Sequence, residues 1–181
     1  MSPENLFAHG AVKTEIATVM NLRIKKFRLG RLFIDRTRVS TPAVDLSVEP
    51  DIVFVMRQSL ADGRVVAVPY ADNEPDQFIE FEGAPDLVVE IVSKSSIEKD
   101  TARLPSLYWQ AGVREFWLAD ARKEKLLFQI YRHGESAFEP SRVDADGFQW
   151  SEVLDCAYRL ERFREEDGYW GYTLAERQKS E

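Results

Sequence analysis

Apolar positions recur at the helical period early in the chain. Val12, Ile16, Val19, Met20 and Phe27 share one face of a segment running from about Glu4 to Leu29. The spacing predicts a helix stopped by Gly30, after which residues 31–39 alternate as a strand does. Pro50 opens Asp51-Ile-Val-Phe-Val-Met56, an almost unbroken apolar run that reads as a strand covered on both faces. Asp62-Gly63 marks a turn before a short strand at 64–68, and an acidic, turn-rich stretch follows over 72–83. Asp86-Leu-Val-Val-Glu-Ile-Val-Ser93 is the strongest buried-strand signal. Ser95 or Ser96 can then cap a helix reaching Ala111, with Ile97, Leu104, Leu107, Tyr108 and Ala111 on one face. Pro105 costs about 3 kcal/mol in a helix interior, so a kink or restart is expected there.

Gly112 ends this helix, and residues 113–119 and 125–132 read as strands. A weaker hairpin is predicted from 138–143 and 148–153 around Asp146-Gly147, and a helix in the polar tail, 169–181. This order implies an α/β or α+β domain, one sheet flanked by helices with strand–helix–strand at its centre. A length of 181 residues fits one domain, 1–181, and buries roughly 70% of the unfolded surface without needing a disulfide or structural metal.

Composition narrows the class. Aromatic residues make up 12%, which excludes disorder as the main state. The single cysteine, Cys156, excludes a disulfide framework and a cysteine-ligated zinc site, and reads as a packing residue. No apolar run approaches the ~18 residues of a membrane span and no signal-peptide core follows Met1, so a soluble cytoplasmic protein without membrane contact is expected. The net charge of −7 argues against indiscriminate nucleic-acid binding. The charge is uneven: residues 13–38 hold eight bases against two acids, and residues 152–167 six acids against three arginines. A local anionic partner is therefore permitted.

Glu90 interrupts the strongest apolar strand, and an unpaired buried carboxylate is expensive. It must be paired, protonated or metal-bound. Asp51 opens the other apolar strand, and if the two strands are neighbours their carboxylates can meet and hold Mg²⁺, which takes oxygen ligands. The plainer alternatives are an arginine partner for Glu90 and turn chemistry after Pro50 for Asp51. Asp86 lies about 13 Å from Glu90 along the strand and is expected to cap its start.

The block Pro85-Asp-Leu-Val-Val-Glu-Ile-Val-Ser93, Asp100, Tyr108, Ala111-Gly112-Val113 and Glu115-Phe-Trp-Leu-Ala-Asp120 resembles the putative restriction endonuclease family common in bacterial genomes, part of the PD-(D/E)XK nuclease superfamily. Pro50-Asp51 matches its earlier Pro-Asp strand, and Ser2-Pro3 with His9 its motif before the first helix. The resemblance implies a restriction-endonuclease-like mixed β-sheet core of four strands, flanked by helices, with additional β-hairpins. It also implies a Mg²⁺ or Mn²⁺ site in which Asp51, Glu90 and the Ile91 carbonyl are ligands, serving hydrolysis of DNA phosphodiesters.

Two departures stand out. The superfamily's lysine position, two residues after the glutamate, is Val92, and the position this family tends to use on the next helix is Leu104. Lys94 is the first-choice replacement, with Lys99 and Arg103 as others, although arginine is a poor proton acceptor. Loss of catalysis is the alternative. Family members also carry a strand hairpin ahead of the Ser-Pro motif, whereas Met1 here falls on that motif, so a lost hairpin or an internal start is expected. His9 and Glu15 on the first helix, with Asp100 and Tyr108, are auxiliary candidates, and Tyr108 and Trp117 are expected in the core. The competing readings are a metal-dependent DNA endonuclease, a silent nuclease-fold binding module, and a structural homodimer.

Overall fold

The computed structural model describes residues 5–70, 75–94, 97 and 99–179; the Ser2-Pro3 motif, the capping Ser95 or Ser96 and the Lys99 side chain lie outside the described parts. The Asn5 side chain accepts the Phe7 and Ala8 N–H groups and opens a wide π-type turn, Leu6–Ala11, that runs into helix α1, Val12–Phe27. Val12, Ile16, Met20 and Ile24 form its buried stripe, each contributing about 1.5–3 kcal/mol. Phe27, expected on that stripe, is instead exposed with Arg23 and Lys26 over its ring. The helix is capped at Arg28, which adopts φ 55°, just ahead of the expected stop. Gly30 serves the sheet instead of the helix end. A Cβ there would lie 2.1 Å from the Val55 carbonyl oxygen, so only glycine lets the two strands approach.

Thirteen strands are defined among the described residues: β1 (Gly30–Ile34), β2 (Arg38–Thr41), β3 (Leu46–Val48), β4 (Ile52–Met56), β5 (Val65–Pro69), β6 (Phe78–Gly83), β7 (Leu87–Ile91), β8 (Glu115–Asp120), β9 (Leu127–His133), β10 (Phe138–Pro140), β11 (Gln149–Ser151), β12 (Cys156–Arg164) and β13 (Trp170–Arg177). Helix α2 is Arg57–Ala61 and α3 is Leu104–Ala111. The central sheet has six strands, ordered β1-β4-β7-β8-β9-β10, wider than the four expected. Within it only β7 and β8 pair in parallel, joined by α3 as the strand–helix–strand pattern required. β4 and β7 pair antiparallel, Ile52 facing Val89.

One face of this sheet packs under α1 and the three-stranded sheet β11-β12-β13, burying Phe54, Val89, Ile91 and Trp117. The other face carries Val88, Val92, Phe116 and Leu118 against Leu104 and Tyr108 of α3. A second small sheet, β3-β2-β6-β5, covers Val53 and Val55. Glu115 staples β8 to β11: its carboxylate accepts Trp117 Nε1–H (2.6 Å), the Ser151 hydroxyl (2.6 Å) and the Glu152 N–H (2.9 Å). Burial pushes its pKa up to about 7 against the pull of these donors.

Several local expectations are corrected. Residues 31–39 are two strands, because Asp35 and Arg36 turn through positive φ. The 72–83 stretch ends in β6, where Phe81 turns inward between exposed Glu82 and half-buried Glu80. The hairpin around Asp146-Gly147 shrinks to one bridge, Val143 with Gln149, since β10 pairs with β9 and β11 with β12. The tail is strand β13, not a helix: Tyr172 and Leu174 face the core, and its whole length pairs with β12. Pro105 sits in the first turn of α3, following a second π-type turn, Lys99–Arg103, so the helix restarts there as its chemistry requires.

Candidate active site

Continuing the β4–β7 register one residue past Ile52 and Val89 sets Asp51 across from Glu90, at the end of the ladder. There the Asp51 side chain takes over from the backbone: Oδ2 accepts the Ile91 N–H at 2.7 Å. Oδ1 faces Lys13 Nζ at 2.8 Å and His9 Nε2 at 3.3 Å. His9 and Lys13 are four residues apart, so the turn and helix present them together. Lys13 also reaches Asp35 Oδ1 at 2.6 Å. Burial works to raise the Asp51 pKa, yet His9, Lys13 and the Ile91 amide overcome it and hold the carboxyl below its usual range. Lys13 is pushed down by burial but raised overall by its two aspartates.

Glu90, 3% exposed, sits in the middle of the sheet, and its Oε1 accepts the Tyr108 hydroxyl at 2.5 Å. Burial drives the Tyr108 pKa well above its ordinary value, and Glu90, Asp100 and Asp51 all add to the rise. Of these three acids Glu90 accepts the phenol's hydrogen bond, and the other two act on it through their charge. Asp100, 2% exposed, lies in the π-type turn before α3 and also acts on Arg122.

The remaining candidates separate. Glu15 does not join the acids: its Oε1 accepts the Leu174 N–H at 2.8 Å, tying α1 to β13. The helix dictates this, because two residues along it turn through about 200° and Lys13 already faces Asp51. Lys94, expected to extend the Glu90 face, lies past the end of β7 in a turn and is exposed. Leu104 is 2% exposed and buried in the apolar cluster beside Tyr108. Lys13 is the group that sequence reasoning misses. Its only signal is the basic excess of residues 13–38, which does not say which cation meets Asp51.

Among the described residues, no three His, Cys, Asp or Glu side chains form a cluster that could hold a metal ion. The donor set at Asp51 and Glu90 still suits a hard cation, since Mg²⁺ is commonly held by one or two carboxylates and keeps several waters. A strand residue's N–H and C=O leave on one edge, so the Ile91 carbonyl belongs to the Asp51 side as well.

A family model described as Uma2, "Putative restriction endonuclease", matches residues 1–174. Among solved structures, "a putative nuclease belonging to DUF820" from Anabaena variabilis ATCC 29413 is similar, with 22% sequence identity and a TM-score of 0.59. That match covers 81% of this chain and 73% of the other. No curated protein matches.

Proposed function

From the premise that this chain belongs to the Uma2 putative restriction endonuclease family, we propose that it is a divalent-metal-dependent DNA endonuclease hydrolysing phosphodiester bonds. The observation that carries this reading is the seating of the Asp51 carboxylate on the amide next to Glu90, with both acids felt by Tyr108. Asp51, Glu90 and the Ile91 carbonyl would hold Mg²⁺ or Mn²⁺. The bound ion would lower the pKa of a water and offset the charge building on the phosphate. Tyr108 holds Glu90 in orientation through its hydroxyl. Lys13, at 2.8 Å from Asp51, supplies the positive charge that Leu104 lacks, a role for which exposed Lys94 is worse placed.

Leu104, buried among apolar groups, favours a second reading, a nuclease fold that binds without cutting. Nicking of supercoiled plasmid separates the two. Wild type is expected to nick with Mg²⁺ or Mn²⁺ and to stop with EDTA, and Glu90→Ala is expected to lose at least about a hundredfold in rate. Unchanged nicking by the variant removes Glu90 from the chemistry; nicking by neither protein supports the silent fold.

A further inference from the structure

Along the turn that carries His9 lies a cleft of 490 Å³ that the chemistry above does not use. Its walls come from the π-type turn before α1, the loop after β8, and the strands β12 and β13. Four of its residues are basic, Arg122, Lys123, Arg162 and Arg164, against one lining acid, Glu124. Arg122 is largely spent on Asp120, 2.6 Å away. Arg162 and Arg164 instead rest on the Trp170 ring, 4.3 and 3.7 Å from its centroid, and donate to the Lys123 and Gly168 carbonyls. These neutral contacts orient both guanidinium groups without cancelling their charge. At the mouth, Phe7 and Tyr169 stack at 4.4 Å with 38% and 54% exposure. Solvent-facing aromatic rings beside oriented cations are the chemistry that single-stranded nucleic acid recognises: phosphates on the cations, bases on the rings.

The cleft joins the candidate site on two sides. Ala8 lines it, and the next residue, His9, faces Asp51. Arg122 donates to the Ser93 carbonyl, just past Ile91. Resting on the nuclease reading for the choice of DNA, we propose that this cleft seats a single-stranded or frayed DNA segment next to the Asp51–Glu90 pair. A volume of 490 Å³ suits a group of nucleotide size, and the base faces that would meet Phe7 and Tyr169 are free only outside a duplex stack. The lining is basic, four cations to one acid, within a chain of net charge −7 whose Glu165, Glu166 and Asp167 directly follow Arg164.

The test is fluorescence anisotropy of labelled oligo-dT and of a matched duplex, in EDTA so that no cutting intervenes. Wild type is expected to bind the single strand at low salt more tightly than the duplex. Arg164→Glu, Lys123→Glu and Tyr169→Ala, all at exposed side chains, are each expected to weaken binding about tenfold. Lys125→Glu, outside the cleft, should leave it unchanged. Thermal melts check that each variant is folded. No binding by wild type, preference for the duplex, or wild-type affinity in Arg164→Glu and Tyr169→Ala overturns the proposal. Binding lost in these variants without any metal-dependent nicking by wild type would leave the cleft standing and remove the nuclease reading. Nicking at full rate in Arg164→Glu and Lys123→Glu would do the reverse.

Discussion

The two ends of β7 carry buried carboxylates in opposite company. Just before the strand, Asp86 is fully buried, and its Oδ1 faces Arg64 at 2.6 Å, Ser59 at 2.8 Å and Arg114 at 3.4 Å, while Oδ2 accepts the Met56 N–H at 2.7 Å. Guanidinium groups stay charged at any ordinary pH, so this end is neutralised permanently. At the other end Asp51 faces a lysine and a histidine, and Glu90 a buried phenol. Asp51 is also less deeply buried, its side chain 14% exposed against 0% for Asp86, so partners and exposure together set the two carboxylates apart.

Substitution at each end sharpens the contrast. Asp86→Ala strands Arg64 and the Met56 amide and is expected to cost about 3–5 kcal/mol in urea denaturation, with Asp51→Asn costing clearly less. Equal losses would break the comparison. Glu115 supplies the intermediate case, a buried carboxylate held by neutral donors only. Its folded pKa of about 7 lies above the ordinary 4.5, so the folded state holds the proton more tightly than the unfolded chain. Its contribution is full below about 4.5 and lost as pH rises to about 7, on the order of 3 kcal/mol. Urea titrations across that range should show this decline in wild type and lack it in Glu115→Gln. Smallest in energy is Lys13→Met, expected to slow metal-dependent nicking about a hundredfold while costing clearly less stability than Asp86→Ala. A large stability loss with unaltered rate would make Lys13 a structural ion pair.

Asp51 and Glu90 are legible in the sequence because each is a charge at the start or middle of an apolar strand, where burial demands an explanation. Pro105 likewise announces the restart of α3. Lys13 is not legible, because its distance from Asp51 depends on how α1 docks on the sheet, a long-range event without a local pattern. β12 and β13 escape notice although Tyr158, Leu160, Tyr172 and Leu174 alternate inward, since the charges between them suggest a solvated tail. β6 is hidden similarly by the acids flanking Phe81. In each case the pairing partner, not the segment itself, settles the conformation.

The docking of α1 joins the beginning of the chain to its end. Glu15 grips the Leu174 amide, and Arg23 donates to the Leu154 and Asp155 carbonyls at 2.7 and 2.6 Å. These are the fastenings of the helix that carries Lys13 to Asp51. The last two strands therefore act as a buckle: were they peeled away, the helix that brings Lys13 to the carboxylates would keep only its apolar seat on the central sheet and the ion pairs of that lysine.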